Sequence, residues 1–384
     1  MEHAGFLRSV IADIHIEVLD ELEAGGRYAE RHVVAIEKRD GGVERTEIYA
    51  FAALEDRGRL RTTEETTLAL GTVEHGSAPL GSVEPAQRRE RTFPVSTSTV
   101  VPAWLNRELY PFDNHFCDID GNRIHYVDEG SGPTLLLVHG NPVWSFVYSN
   151  AIKALSNFFR CVAVDLAGFG LSEATPGFSY LPAAQSALLA KFIEQLDLRD
   201  YSVVVHDWGG PIGLSAALVA PERLSGVVIS NTWAWPVNGN PGFEKFSGLM
   251  GGPLGRFGSK YINSFVNVLV PLSHKRRRLS HAEMTQYRKP LPFGHRTPTW
   301  VLPKQIIEAR EFLAALESRL PELSTRHALI LWGDKDDAFG APELARWQQI
   351  LPGARTVILQ GVGHFAASEA PAEFATAIRE WHTF

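Results

Sequence analysis

The stretch VVVHDWGGPIG, residues 203–213, decides how the rest of the chain is interpreted. An uninterrupted apolar strand runs directly into a turn that carries Gly209 and Gly210, and a helix is predicted to follow. This pattern is typical of a nucleophile elbow, a turn so tight that its central side chain projects above the edge of the sheet. The central residue is Asp207, whose carboxylate could attack an electrophilic carbon and form an ester. The plainer interpretation is that Asp207 caps the following helix.

Apolar strands alternate with helices on both sides of this turn. The predicted strands cover residues 122–128, 134–139, 160–165, 201–206, 224–230, 328–332 and 355–359. One helix is predicted to begin near residue 143. Further helices are predicted over residues 181–198, 208–220, 342–350 and 371–381. Uninterrupted apolar strands that alternate with helices indicate an α/β fold with a mostly parallel, doubly wound sheet. The stretch 232–303 breaks the alternation and is rich in Gly, Pro and aromatic residues, so we predict an inserted helical cap there.

The first hundred residues differ in character from the rest. Residues 73–100 are rich in Gly, Pro, Ser and charge, so we predict a linker. Residues 1–72 are predicted to form a small α+β extension, which loosely resembles part of an NTF2-like (SnoaL-like) module. Its apolar residues recur every fourth position over residues 6–22, which predicts an amphipathic helix. Its predicted strands cover residues 27–38, 46–54 and 61–70. The core of the protein is assigned to residues 101–231 and 304–384.

Composition excludes several classes of function. The chain has 384 residues and a formal net charge of −7, whereas nucleic-acid binding needs a basic surface. Its two cysteines, Cys117 and Cys161, are too few for a disulfide framework or a multi-cysteine zinc site. No apolar stretch approaches the ~20 residues that span a bilayer, and no HExxH or paired Cys/His spacing indicates a metal. We therefore predict a cytoplasmic protein with no metal, membrane or nucleic-acid partner.

Four motifs, each at the end of a predicted strand, carry a resemblance to a known family. They are HGNPVWSF (residues 139–146), VHDWGGPIG (205–213), WGDKDDAFG (332–340) and GVGHFAASEAP (361–371). Over residues 102–384 the chain resembles the haloalkane dehalogenases, which have the α/β-hydrolase fold. The resemblance implies a hydrolase that needs no cofactor and converts a small halogenated alkane into an alcohol, a halide ion and a proton.

The resemblance implies a catalytic role for three side chains. Asp207 would be the nucleophile that displaces the halide and becomes an ester. His364, in the loop before the final helix, would activate the water that hydrolyses this ester. Asp336 matches the family's acid best by its spacing in WGDKDD, and it would stabilise the imidazolium. Asp334 stays open as a rival acid, and Asp337 is expected to be solvated.

Two further side chains would stabilise the departing halide. Asn141 and Trp208 offer N–H donors, and their backbone N–H groups would form the oxyanion hole for ester hydrolysis. A branch of the family places its acid after the preceding strand, but Asn231 stands there and is no carboxylate. His139 and His206 adjoin the key turns and are interpreted as structural.

Several alternatives stay open at this stage. An epoxide hydrolase shares the same three catalytic side chains but needs acidic hydroxyls, for which Tyr261 and Tyr287 are candidates. A fluoroacetate dehalogenase would place arginines after the nucleophile, and none follows Asp207 directly. Luciferase-like and non-catalytic ligand-binding relatives share the fold. The basic run at residues 275–278 is interpreted as a solvated surface. Candidates for the wall of the substrate pocket are Trp233, Trp235, Phe243, Phe246, Phe257 and Phe265.

Overall fold

The computed structural model describes residues 11–24, 27–38, 43–54, 60–64 and 102–383, which belong to two compact units. The described part of the smaller unit is a four-stranded antiparallel sheet in the order β1-β2-β3-β4. Its strands are β1 (Ile11–Ala24), β2 (Arg27–Lys38), β3 (Val43–Leu54) and β4 (Leu60–Glu64). The strand predictions for this unit are confirmed where the structure describes them, and residues 65–70 lie outside the described part.

The predicted helix over residues 6–22 is wrong from Ile11 onward, because these residues form β1. A spacing of four residues is also twice the two-residue repeat of a strand, so it could not separate the two structures. The stretch IHIEV, residues 14–18, alternates apolar and polar residues and carries three β-branched side chains, which favour a strand. The described residues of the extension are therefore all β rather than α+β. Its resemblance to an NTF2-like module stays a prediction.

The larger unit is built on an eight-stranded sheet. Its strands are β5 (His115–Ile119), β6 (Asn122–Glu129), β7 (Thr134–Val138), β8 (Arg160–Val164), β9 (Tyr201–His206), β10 (Leu224–Ser230), β11 (His327–Gly333) and β12 (Arg355–Leu359). Their order is β12-β11-β10-β9-β7-β8-β6-β5, parallel except where β6 pairs with β5 and with β8. Every residue of β9 is buried, as its uninterrupted apolar run predicts. The predicted α/β sheet is thus confirmed.

Twelve α-helices are described in the larger unit, and they pack on the sheet and on one another. They are α1 (Ser149–Leu155), α2 (Pro182–Gln195), α3 (Gly209–Ala217), α4 (Pro241–Met250), α5 (Pro253–Ile262), α6 (Val270–Ser273), α7 (His281–Arg288), α8 (Thr297–Glu308), α9 (Arg310–Arg319), α10 (Ala341–Ile350), α11 (Ala366–Glu369) and α12 (Pro371–His382). Helix α3 packs on α2 and on β9, and α12 packs on α1. No described helix is both long and apolar enough to cross a membrane.

Helices α4 to α8 begin within residues 232–303, where the sequence predicts the cap, whereas α9 lies beyond the predicted end of the cap. A π-helix, Phe265–Leu269, joins this group ahead of α6, and α4 packs against α8. The predicted end of the cap at residue 303 falls inside α8, which continues to Glu308. Residues of α4, α6 and α8 line the same cavity as Asp207.

Candidate active site

The turn after β9 has the geometry of a nucleophile elbow. Asp207 has a φ of 50°, in the left-handed region that L-residues rarely adopt. A Cβ added to Gly209 would collide with the carbonyl oxygen of Val138, and one added to Gly210 would collide with Thr232 Oγ1. Only glycine fits these positions, so the sequence signal for the turn has a direct steric cause. Helix α3 begins at Gly209 without a side-chain cap, so the Asp207 carboxylate does not cap it.

Backbone donors orient the Asp207 carboxylate. Its Oδ1 accepts a hydrogen bond from the N–H of Asn141 at 2.7 Å, and the N–H of Trp208 donates to the same side chain. A Cβ on Gly140 would collide with Oδ1, so a glycine is needed beside the carboxylate. Burial raises the pKa of Asp207, while the two donors and the charge of His364 oppose that rise. The other oxygen, Oδ2, is left to face the imidazole.

The structure places His364 between two carboxylates. Its Nδ1 donates to Asp336 Oδ2 at 2.9 Å, and its Nε2 lies 3.7 Å from Asp207 Oδ2. Burial lowers the pKa of His364, but the charges of Asp336 and Asp207 outweigh burial and raise it to about 9. The three side chains predicted from the sequence therefore meet, and they form an array that can hold and transfer a proton.

Two groups hold Asp336 in place. Its Oδ2 accepts a second hydrogen bond from Asn231 Nδ2 at 2.9 Å, and its Oδ1 accepts one from the N–H of Ala338 at 2.8 Å. The Asn231 side chain also accepts from the N–H of Gly333 at 2.9 Å, which ties the ends of β10 and β11 together. The sequence analysis set Asn231 aside because it is no acid, and it missed this contact with the acid of the next strand.

The neighbouring acids have other partners. Asp334 accepts a hydrogen bond from the N–H of Gly361 at 2.6 Å, so the carboxylate beside His364 is Asp336. Asp337 lines the cavity, and its Oδ2 lies 2.5 Å from Lys275 Nζ. Asp337, which is expected to be solvated, has a side chain that is 34% exposed and ion-paired, because the turn that points Asp336 inward also brings the next residue to the cavity wall.

A cavity of about 110 Å³ lies in front of Asp207. Asn141 and Trp208 line it, and neither the Asn141 amide nor the Trp208 indole N–H is hydrogen-bonded to a described residue. Indole N–H is a donor only, so a group bound beside it must be an acceptor or an anion. Both predicted halide donors therefore reach the cavity with the carboxylate.

Stacked rings connect the donor end of the cavity with the histidine. Trp208 meets Trp233 edge-on with ring centroids 4.7 Å apart, and Trp233 stacks on Phe339 at 5.0 Å. Phe339 in turn lies 5.7 Å from the His364 ring. Trp233 is fully buried and is not among the described lining residues, so it packs behind the cavity.

The remaining walls of the cavity are apolar. Three of the six predicted aromatic residues line it: Phe243, Phe246 and Phe265. Trp235 packs on Trp347, while Phe257 is 59% exposed. The sequence analysis missed a second group of lining residues, namely Leu269, Val270, Ser273, Pro303, Ile306, Phe339 and Phe365. Phe339 and Phe365 lie inside quoted motifs, which is the only signal that could have identified them.

The two other histidines near the site have structural contacts. His139 Nδ1 donates to the carbonyl oxygen of Gly140 at 2.8 Å, and its Nε2 accepts from the N–H of Leu166 at 2.9 Å. His206 Nε2 donates to the carbonyl oxygen of His364 at 2.8 Å. Neither ring lines the cavity described above.

Three of the four basic residues at positions 275–278 form ion pairs. Ion pairs join Lys275 to Asp337, Arg276 to Glu373 and Arg277 to Glu283. These pairs supply counter-charges to three of the four cations in the run.

Within the described residues, no group of three or more His, Cys, Asp or Glu side chains is arranged to hold a metal ion.

The parallel sheet, the elbow and the histidine loop define the class of α/β-hydrolases. The family model described as alpha/beta hydrolase fold matches residues 133–371. Haloalkane dehalogenase 2 of Mycobacterium tuberculosis (strain ATCC 25618 / H37Rv) is 40% identical over 276 residues, which are 71% of this chain and 96% of that protein. The chain therefore belongs to the haloalkane dehalogenase family within this fold.

Two further comparisons extend this result. Cis-3-alkyl-4-alkyloxetan-2-one decarboxylase of Shewanella oneidensis is 29% identical over 285 residues, covering 72% of this chain and 90% of that protein. The crystal structure of haloalkane dehalogenase DbeA from Bradyrhizobium elkani USDA94 superposes with a TM-score of 0.65. It is 24% identical and covers 70% of this chain and 97% of the other, so this likeness supports the fold alone.

Proposed function

We propose that this protein hydrolyses the carbon–halogen bond of small haloalkanes and releases an alcohol, a halide ion and a proton. One observation carries the proposal: a buried carboxylate, two N–H donors that bond to no described residue and an imidazole meet at one cavity. The similarity to a protein named haloalkane dehalogenase supports the same activity.

In the first step, Oδ2 of Asp207 attacks the carbon that bears the halogen. The new C–O bond forms as the carbon–halogen bond breaks, and the electron pair leaves with the halide. The Trp208 indole N–H and the Asn141 amide stabilise this anion because they are preorganised in an apolar cavity. Removal of one such donor typically raises the barrier by about 2.7–4 kcal/mol.

In the second step, His364 Nε2 takes a proton from a water molecule that attacks the ester carbonyl carbon. The backbone N–H groups of Asn141 and Trp208 stabilise the oxyanion, and Asp336 stabilises the imidazolium. Ester formation removes the charge of Asp207, which is one of the causes that raise the pKa of His364. The imidazole therefore becomes neutral, and able to act as a base, more readily in the intermediate than in the free enzyme.

The lining favours uncharged substrates. Among the described residues that line the cavity there is no Lys or Arg to pair with a substrate carboxylate. Phenylalanine and aliphatic side chains form most of the wall, and a volume of about 110 Å³ suits a short alkyl chain. A haloalkane fits this environment better than a haloacid does.

Epoxide hydrolysis is less well supported by the same cavity. Neither Tyr261 nor Tyr287 is among its described lining residues. Tyr261 packs between Phe257 and Phe293, while Tyr287 is buried and meets Phe146 edge-on. Without a phenol in the cavity, an epoxide oxygen would lack its proton donor.

Halide release from short bromoalkanes by the purified full-length protein tests the proposal. Diol formation from epoxides and decarboxylation of a cis-3,4-dialkyloxetan-2-one are measured in parallel, with Asp207→Asn as the inactive control. We expect halide release and neither of the other reactions. Diol or carbon dioxide formation without halide release would contradict the proposal.

The His364→Phe variant tests the two-step mechanism separately. We expect it to form the ester and then stop, because Asp207 still attacks while no base activates water. Intact-protein mass spectrometry should show a single added alkyl group, which peptide mapping places on Asp207. An unmodified protein after incubation with substrate would count against the nucleophile assignment.

A further inference from the structure

The proposed reaction assigns no role to one buried acid near His364. Glu369 is the last residue of α11, and only 6% of its surface is exposed. Its carboxylate is not among the described lining of the cavity. A buried carboxylate costs free energy unless donors compensate for the lost hydration, so its contacts indicate what it stabilises.

Backbone N–H groups from two separate segments donate to Glu369. Its Oε2 accepts from the N–H groups of Lys275 and Arg276, both at 2.7 Å, and its Oε1 accepts from the N–H of Gly363 at 3.0 Å. Lys275 and Arg276 belong to residues 273–276, which begin at the last residue of α6 and which we call the linking segment. Gly363 immediately precedes His364. The carboxylate therefore joins the linking segment to the histidine loop.

A direct backbone contact lies beside this junction. The N–H of His364 donates to the carbonyl oxygen of Ser273 at 3.1 Å, and Ser273 also lines the cavity. A Cβ on Gly363 would collide with that same carbonyl oxygen, so the two segments approach each other closely. The position of the imidazole thus depends on the linking segment, and Glu369 fastens this segment through its backbone, beside the contact of His274 Nε2 with Ser368 Oγ at 3.1 Å.

We propose that Glu369 is a positioning residue, which fastens the linking segment to the histidine loop and so holds the His364 imidazole in place for ester hydrolysis. This inference rests on the proposed function for its chemical step, while its structural part concerns His364 alone. Alkylation of Asp207 needs only the carboxylate and the halide donors. Loss of Glu369 should therefore slow the second step and spare the first.

The basic side chains near Glu369 form ion pairs with other acids. Lys275 pairs with Asp337, Arg276 with Glu373 and Arg277 with Glu283, so Glu369 is held by backbone donors. The groups that face His364 are Asp207, Asp336 and Glu369, whose charges raise its pKa, and His206 and His274, two buried histidines. Removal of the Glu369 charge should thus lower the pKa of His364 as well as loosen its loop.

The experiment compares Glu369→Ala and Glu369→Gln with Glu373→Gln in the full-length protein. Glu373 is the matched control, because it is an exposed acid in the neighbouring helix α12 whose carboxylate pairs with the Arg276 side chain. We expect Glu369→Ala to lose about tenfold or more in kcat, since small misplacements of a reacting group have effects of this size or larger. The alkyl ester should accumulate, detected by intact-protein mass spectrometry. Glu369→Gln should fall between wild type and Glu369→Ala, and Glu373→Gln should match the wild type.

A second measurement needs no substrate and so separates the two proposals. The titration of the His364 imidazole is followed by NMR in wild type and Glu369→Gln, and we expect a lower pKa in the variant. Normal ester hydrolysis in Glu369→Ala, or a fall in kcat without ester accumulation, would overturn the inference. If Glu369→Ala does not fold, an unchanged ester lifetime and titration in Glu369→Gln overturn it equally. Absence of halide release by the wild type would overturn the proposed function, while the NMR titration would still test the role of Glu369.

Discussion

A single carboxylate oxygen, Asp336 Oδ2, accepts hydrogen bonds from both His364 and Asn231. Asn231 follows β10 and His364 lies in the loop after β12, so the two donors reach the oxygen from different parts of the sheet. The carboxylate that orients the imidazole is therefore itself oriented by Asn231. The sequence predicted the acid and the base, because both lie in strongly patterned motifs. It could not predict the role of Asn231, because that role depends on the distance between two strands far apart in the chain.

The variant Asn231→Ala tests this arrangement. It removes the donor to Asp336 and leaves the backbone N–H of Gly333 without its acceptor. We expect kcat to fall by about tenfold and the free energy of unfolding to fall by about 1–3 kcal/mol, the cost of an unsatisfied buried polar group. Asn238→Ala, a change at an exposed asparagine, is the control and should alter neither quantity. Urea unfolding and steady-state kinetics measure both effects, and an unaffected kcat in Asn231→Ala would contradict the positioning role.

The raised pKa of His364 predicts how stability depends on pH. Its value rises from about 6.5 in an unfolded chain to about 9 in the protein, so the folded state binds the proton more tightly. The resulting stabilisation is complete below about pH 6.5 and is lost as pH rises through about 9. The free energy of unfolding should therefore decline across this window, and His364→Gln should flatten the decline. His281→Gln, a change at an exposed histidine, should retain it. Urea unfolding at a series of pH values measures the slope, and an equal slope in His364→Gln would refute the shift.

At the scale of the element, the turn between β9 and α3 was well predicted, whereas β1 was not. The elbow has a steric requirement that only glycine meets, so its sequence is restricted and informative. Residues 6–22 carry a four-residue apolar spacing that a helix and a strand both satisfy, and pairing with β2 settled the outcome. The cavity wall was predicted only in part, because which faces of α4, α6 and α8 meet depends on packing angles that no local pattern encodes.

Two glycines in helices provide a matched test of this steric argument. Gly210→Ala in α3 places a methyl group against Thr232 Oγ1, so we expect a loss of about 1–3 kcal/mol in the free energy of unfolding. Gly248→Ala in α4 meets nothing within 4 Å, so we expect a gain of about 0.5–1 kcal/mol from helix propensity. Thermal or urea unfolding distinguishes the opposite signs. Similar effects from both substitutions would show that the close approach at the elbow is not what restricts Gly210.

At the scale of the whole molecule, every residue of the candidate site lies in the larger unit. The smaller unit spans Val10–Val95, and all of the described residues that line the cavity belong to the larger unit. The fold of the larger unit was predictable from its alternating strands and helices, because central strands such as β7 and β9 are nearly continuous apolar runs. The organisation of the extension was harder to predict, since its short apolar pattern is compatible with more than one structure.

A truncated chain that begins at Ser96 tests this division. We expect it to fold and to retain halide release within about a factor of two to three of the full-length protein, the usual spread for changes remote from a site. Circular dichroism and the halide assay provide the comparison. A folded but inactive truncation would show that the extension takes part in the reaction.

The row of rings from Trp208 through Trp233 and Phe339 to His364 also limits how this enzyme could be redesigned. These rings pack against one another, so trimming Trp233 to make room for a bulkier halogen should also shift His364, the proposed base. We therefore expect substitutions among these rings to change halogen preference and turnover together. Phe246, on α4, lines the cavity apart from this row, and it is the better position at which to broaden the substrate range.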